Sequence, residues 1–120
     1  MTIDFSQVIT AEQKSALALD ARATTIKRDC RARILDVASE ATQMNIAQAG
    51  VIYAALRADG ASEKTARGAV GFEIGDLIRA AGWKAWVSLM QAECRRAIRA
   101  GEAPVWPDLP EGVADLAARF

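Results

Sequence analysis

Apolar or small residues recur at positions 16, 19, 23, 26, 30, 34, 37, 41 and 44. Steps of three and four place them on one side of a helix. The larger members are Leu19, Ile26, Cys30, Ile34, Val37 and Met44, and Leu17, Leu35, Ile46, Val51, Ile52 and Leu56 widen the surface. Thr10-Ala-Glu-Gln13 ahead of the stripe matches a capping box, in which the Thr10 hydroxyl accepts from an orphan amide and Gln13 reaches back. No proline interrupts the stretch from Lys14 to Asp59, no glycine occurs before Gly50, and alanine, the best helix former, is the commonest residue. The pattern predicts one long helix from Thr10 to about Asp59. About fifty residues at a 1.5 Å rise reach roughly 70 Å, whereas a compact chain of this length has a radius of gyration near 14 Å (about 2.2 N^0.38). So either the helix breaks, with Asn45 and Gly50 the expected points, or the molecule is elongated and oligomeric.

Asp59-Gly60-Ala61-Ser62 reads as a turn, with Gly60 suited to a left-handed position and Ser62 able to cap the next helix. From Glu63 to about Ala81 the pattern is again helical, with Ala66, Val70, Ile74, Leu77, Ile78 and Ala81 on one side. Gly71 and Gly75, four apart, are expected on one face of this helix, where another backbone approaches; Gly68 lies in the same stretch. The glycine spacing, with no strand before it, is not a dinucleotide fingerprint. Trp83, Trp86, Met90, Cys94 and Ile98 predict an amphipathic helix over 83–100, with both tryptophans in the core, and Gly101 and Pro104 stop it. The proline-stiffened stretch 103–112 is expected to lay Val105, Trp106 and Leu109 across the hairpin before a short last helix over 111–119. Residues 1–9 read as an extended arm, with Ile3 and Phe5 alternating with polar neighbours; it either tucks Phe5 and Ile9 onto the helix or pairs with another subunit. The expected architecture is therefore all-α, a long helical hairpin or bundle with a proline-containing C-terminal segment docked on it. It is a single helical domain, 1–120: arm 1–9, long helix 10–59, return leg 62–100 in one or two helices, and tail 101–120.

Composition narrows the chemistry. Fifteen basic and fifteen acidic residues cancel, which argues against a globally electrostatic nucleic-acid binder. The absence of histidine removes the commonest general base and metal ligand. Two cysteines, Cys30 and Cys94, give neither metal spacing nor a disulfide framework, and their place on apolar stripes predicts buried, reduced thiols. Serines and threonines have no histidine to activate them. The carboxylates are scattered, with no pair brought to one cleft. The expectation is no enzyme, no cofactor, no metal and no small-molecule substrate. No apolar run reaches about 18 residues, so no membrane span is expected. The opening residues lack a basic run leading into an apolar one. The expected location is the cytoplasm of a bacterial host, or an assembled virion.

One charge pattern stands out. Arg22, Lys27, Arg28, Arg31 and Arg33 crowd one stretch, and Arg95, Arg96 and Arg99 another; windows 22–33 and 93–99 together hold eight basic and two acidic residues. Asp29-Cys30-Arg31-x-x-Ile34 and Glu93-Cys94-Arg95-x-x-Ile98 share a short pattern. An antiparallel hairpin turning near residue 61 would bring Cys30 and Cys94 to nearly one level, and the two basic stretches with them. This surface is either a solvated face paired to Asp20, Asp29, Asp36 and the acidic tail, or a docking surface for an acidic partner or, failing that, nucleic acid.

Several stretches resemble small phage and prophage proteins encoded beside tail genes. These are Ile-Asp-Phe-Ser-x-Val-Ile-Thr-Ala-Glu (3–12), Cys-Arg-x-Arg-Ile-x-x-Val-Ala-Ser-x-x-x-Gln-Met-Asn-Ile (30–46), Trp-Val-x-x-Met (86–90) and Trp-Pro-x-x-Pro-Glu-Gly-Val-Ala (106–114). Residues 57–82 fit the likeness least. The resemblance implies a tail-associated structural or assembly protein, partnered by itself as a homo-oligomer and by other tail proteins, and carries over no catalytic residue. The alternative expectation is a nucleic-acid-associated helical protein using the arginine-rich surface.

Overall fold

The computed structural model describes residues 10–120; the expected arm, 1–9, lies outside the described residues. Five helices follow in order: α1 (Ala11–Val37), α2 (Glu40–Ala58), α3 (Glu63–Val70), α4 (Asp76–Ala100) and α5 (Val113–Arg119). No strand occurs among the described residues. The architecture is all-α, as the periodicity requires, with α1 and α4 packed on each other.

The capping box forms: Gln13 N–H donates to Thr10 Oγ1 at 3.1 Å and Thr10 N–H to Gln13 Oε1 at 3.0 Å. The break in the long helix is not at Asn45–Gly50. It falls at Ala38–Ser39, and α2 runs unbroken through Asn45 and Gly50. Ala38 is extended, and Ser39 caps α2 by accepting from the Thr42 amide at 3.1 Å. The Gln43 side chain donates to the Ala38 carbonyl at 2.9 Å. A serine cap is worth about 1 kcal/mol, comparable with the cost of one interior glycine, and it acts at a point where buried Ala38 docks against the core.

The return leg also divides differently from the pattern's expectation. α3 ends at Val70, and Gly71 and Gly75 lie outside the helices in left-handed conformation, φ 78° and 87°. They are turn residues on either side of buried Phe72, not a helix face for close approach, and a Cβ on Gly71 would meet nothing. α4 starts at Asp76 and passes through Gly82 without ending.

α4 runs antiparallel to α1. Arg22 meets Ala97 and Cys30 meets Met90, so positions rise along one helix as they fall along the other. Ile26, Cys30, Ile34, Trp86, Met90, Cys94 and Ala97 fill the seam. Fully buried Met90 alone accounts for roughly 1.5–3 kcal/mol of burial free energy. Trp83 and Trp86 are core residues, their rings 5.7 Å apart, and Trp86 Nε1–H donates to the Pro107 carbonyl. Trp106 and Leu109 pack on this core; Val105, expected beside them, is 77% exposed. α5 packs on α4 and α2. An aromatic chain, Tyr53–Phe72–Phe120, links α2, the α3–α4 connection and the C-terminus.

The molecule is a rod, 82 × 25 × 23 Å, with a radius of gyration of 21.6 Å. α1 runs past the end of α4, and every residue from Thr10 to Ala21 is exposed. No described helix is long and apolar enough to cross a membrane.

Candidate interaction surface

Antiparallel packing of α1 on α4 does bring the two basic stretches to one level, and it sorts their eight residues onto different sides of the rod. Helical phase explains the sorting: Arg22, Asp29 and Arg33 fall on one flank of α1, Lys27 and Arg31 on the other.

On the first flank the residues are satisfied by the chain itself. Arg22 donates to the Ala97 carbonyl at 3.3 Å, which also accepts from the Gly101 and Glu102 amides, and to the Glu102 carbonyl just past the end of α4. Arg33 pairs with Asp29 at 3.2 Å, one helical turn away, and stacks 5.5 Å from the centre of the Trp106 ring. Trp106 Nε1–H in turn donates to Asp29 at 3.1 Å. Arg96 pairs with Glu93 and, at 3.2 Å, with Glu102. The guanidinium of Arg96 holds the Glu93 carboxyl below its ordinary range. The start of the tail thus lies along this flank, and Glu102 is the one acidic residue of the tail paired there; Glu111 and Asp115 lie at the other end, around Arg79 and Arg119.

The second flank is open. Lys27, Arg31 and Arg95 rim a groove of about 570 Å³ whose floor includes Cys30, Ile34, Val87 and Cys94. Arg31 pairs with Glu40 at 2.9 Å, but both side chains are more than 70% exposed, so the pair adds little stability. Lys27 and Arg95, with Arg28 and Arg99 elsewhere on the surface, have no acidic partner among the described residues. The thiols on the floor are free and buried. Burial, then the neighbouring Cys94, pushes the Cys30 thiol up, and its Sγ–H donates to the Met90 carbonyl at 3.7 Å. A protonated thiol of this kind is a poor nucleophile. The groove sets Lys27, Arg31 and Arg95, with the Glu40 carboxylate paired to Arg31, above an apolar floor.

A second cluster is one that the sequence pattern does not reveal. Asp76, at the first turn of α4, is fully buried. Its carboxylate accepts from the Glu73 amide at 2.7 Å, from Arg79 at 3.0 Å and from Arg119 of α5 at 2.7 Å. Burial pushes this carboxyl up, but the hydrogen bonds from Arg119, the Glu73 amide and Arg79 outweigh it, and the net direction is down. Gly112, φ 83°, lets the tail pass over Arg79, whose Nε would lie 2.7 Å from any Cβ added there. The cluster fastens α5 to α4. Its only signal in the sequence is an acidic residue at a helix start next to glycine, which marks a helix N-terminus but not a buried partner from the far end of the chain.

The other uncovered features are apolar, and they include Ile74 and Ile78, expected on one helix side but 80% and 79% exposed, and Leu89, 56% exposed. Leu17 and Leu19 on the projecting part of α1, and Met44, Val51 and Ile52 on α2, are 43–69% exposed. Leu19 continues the α1 stripe beyond the point where α4 stops covering it. No family model, no curated protein and no solved structure matches this chain.

Proposed function

We propose that this chain is a non-catalytic structural or assembly protein of the phage-tail type, acting through helix-to-helix contacts with copies of itself and with other tail proteins. The observation that carries this reading is the apolar surface left over after the chain has folded. Leu17, Leu19, Met44, Val51 and Ile52 stand on two long helices of a narrow rod, and no element among the described residues covers them. Aligned apolar side chains on elongated helices are a common mark of an interaction surface. The resemblance of residues 3–12, 30–46, 86–90 and 106–114 to tail-associated proteins points to the same class. Light scattering of the purified chain at micromolar concentration tests it. A mass that is a multiple of 12.8 kDa is expected, and a monomer mass at every concentration would overturn self-assembly.

A second reading, a nucleic-acid-associated protein, draws on Lys27, Arg28, Arg95 and Arg99, which have no acidic partner among the described residues. It requires retention on DNA that falls steeply with salt, with a slope of about −0.9 per phosphate neutralised. Retention that does not vary with salt removes it.

A further inference from the structure

We propose that the outward face of α2 is a self-docking surface, on which a second copy of this chain packs its own α2 antiparallel around a two-fold axis. The inference rests on the assembly reading above and assigns it a surface, a partner and a geometry.

Helical phase divides α2 into two faces. Ile46, Ala49, Tyr53 and Leu56 share the inner one, where Ile46 and Ala49 are buried and Tyr53 meets Phe72. On the opposite face lie Ala41, Met44, Gln48, Val51, Ala55 and Ala58, spaced three and four in strict alternation. That is the heptad spacing of a helix–helix seam. Ala47, Ile52 and Ala54 flank it. Between Glu40 at its first position and Arg57 near its last, α2 carries no charged residue. Met44 and Val51 are each 69% exposed, and Ile52 43%. A solvated helix face normally alternates apolar with charged residues, and this one does not.

The pattern identifies the occupant as well as the surface. An uncharged face cannot select an acidic or a basic partner, whereas a second copy presents the same uncharged face. Antiparallel pairing centred between Ala49 and Gly50 sets Ala41 opposite Ala58, Met44 opposite Ala55 and Gln48 opposite Val51. Each large side chain then meets a smaller one, and the alanines permit interaxial distances at the short end of the 8–10 Å range. Parallel pairing would instead stack Met44 on Met44 and Gln48 on Gln48, with the helix dipoles aligned unfavourably. Met44 and Val51, more than two-thirds exposed, and Ile52, 43% exposed, with the alanines around them, make an interface of the small class, on the order of 1,000 Å² in total. An interface of this size, with no aromatic anchor in the seam, should dissociate on dilution rather than be obligate.

The test uses the full chain. Light scattering over a concentration series should show 12.8 kDa rising to twice that mass for the wild type. Val51→Glu and Met44→Glu should raise the dissociation constant about 100-fold or more, because each buries an unpaired carboxylate in the seam. Both sites are exposed in the single chain, so unchanged helical circular dichroism checks that the fold survives. Met44→Cys protein mixed with Ala55→Cys protein should form the mixed disulfide on mild oxidation. Homodisulfides of each variant, with no mixed species, would overturn the antiparallel geometry. Oligomers unaffected by either glutamate would overturn the α2 surface while leaving the assembly reading standing. A wild-type monomer throughout would overturn both.

Discussion

At one end of the C-terminal segment, Glu102 lies beside Arg22 and Arg96 on the rim of the α1–α4 hairpin; at the other, Arg119 reaches Asp76 in the interior. Both are arginine–carboxylate arrangements within one short stretch of chain. The first sits in water: Glu102 is 66% exposed and Arg96 43%, where ion pairs of this kind contribute little. The second has its carboxylate at zero exposure, with three donors on its two oxygens, and removing one partner there leaves a desolvated charge without its counterpart. Apolar burial widens the contrast. Val113, Leu116 and Ala117 of α5 join the core, whereas Val105 near the rim faces solvent. The same pairing of residue types is a fastening in one place and a surface detail in the other, and burial decides which.

Three substitutions sharpen the contrast. The largest effect is expected from Leu116→Ala, which empties a fully buried site and should lower unfolding stability by about 2–5 kcal/mol in chemical denaturation. A loss below about 1 kcal/mol would mean that α5 is not the firmer anchor. Next comes Asp76→Asn, expected to cost about 1–3 kcal/mol, less than a fully buried pair because Arg79 and Arg119 are roughly one-third exposed. The acid limb of stability carries the same information. The folded Asp76 carboxyl is held below its ordinary value. Its contribution is therefore complete above the unfolded value, near 3.9, and is lost as pH falls through the lower folded value. The wild type should lose stability across that acid window, and Asp76→Asn should lose visibly less; parallel curves for the two proteins would remove Asp76 as the cause. The smallest effect is expected from Arg96→Ala, whose denaturation midpoint should not be resolvable from that of the wild type. A clear downward shift would show that the rim network is worth more than its exposure implies.

Periodicity is enough to reveal the hairpin and its register. The stripe through Ile26, Cys30 and Ile34, matched to Trp86, Met90 and Cys94, predicts the seam, because burial of one helix side is the dominant energy in both elements. The thiols are buried and unpaired for the same reason. The pattern fails where a local cap competes with interior propensity. Ser39 ends the ladder of α1 although its neighbours are good helix formers, while Asn45 and Gly50, poorer ones, continue a helix supported on its inner side by Ile46 and Ala49. The four-residue spacing of Gly71 and Gly75 suits a helix face, yet each adopts a positive φ that turns the chain around Phe72. The basic surface is legible as a level of the hairpin but not as two flanks. Helical phase sets the two flanks, but which of them is neutralised depends on where the tail lies, and charge excess alone does not specify that: Glu102 stays near Arg96, whereas Asp115 is carried to the Arg119 end by the burial of α5.

The extension of α1 beyond Arg22 has a dynamic consequence. From Ala21 back to Thr10 the chain gains no tertiary burial, and a helix of that length, under the 12–15 residues at which isolated helices become marginal, is not self-sustaining in water. It is helical because the packed part of α1 supplies the nucleus, so only propagation along the alanine-rich sequence and the Thr10–Gln13 cap hold its end. Amide exchange should therefore not change in one step at Arg22. Protection should decline residue by residue from Ile34 towards Ala11 as opening becomes easier. Whatever grips Leu17 and Leu19 meets an equilibrium rather than a finished helix, and part of the binding free energy goes into completing it.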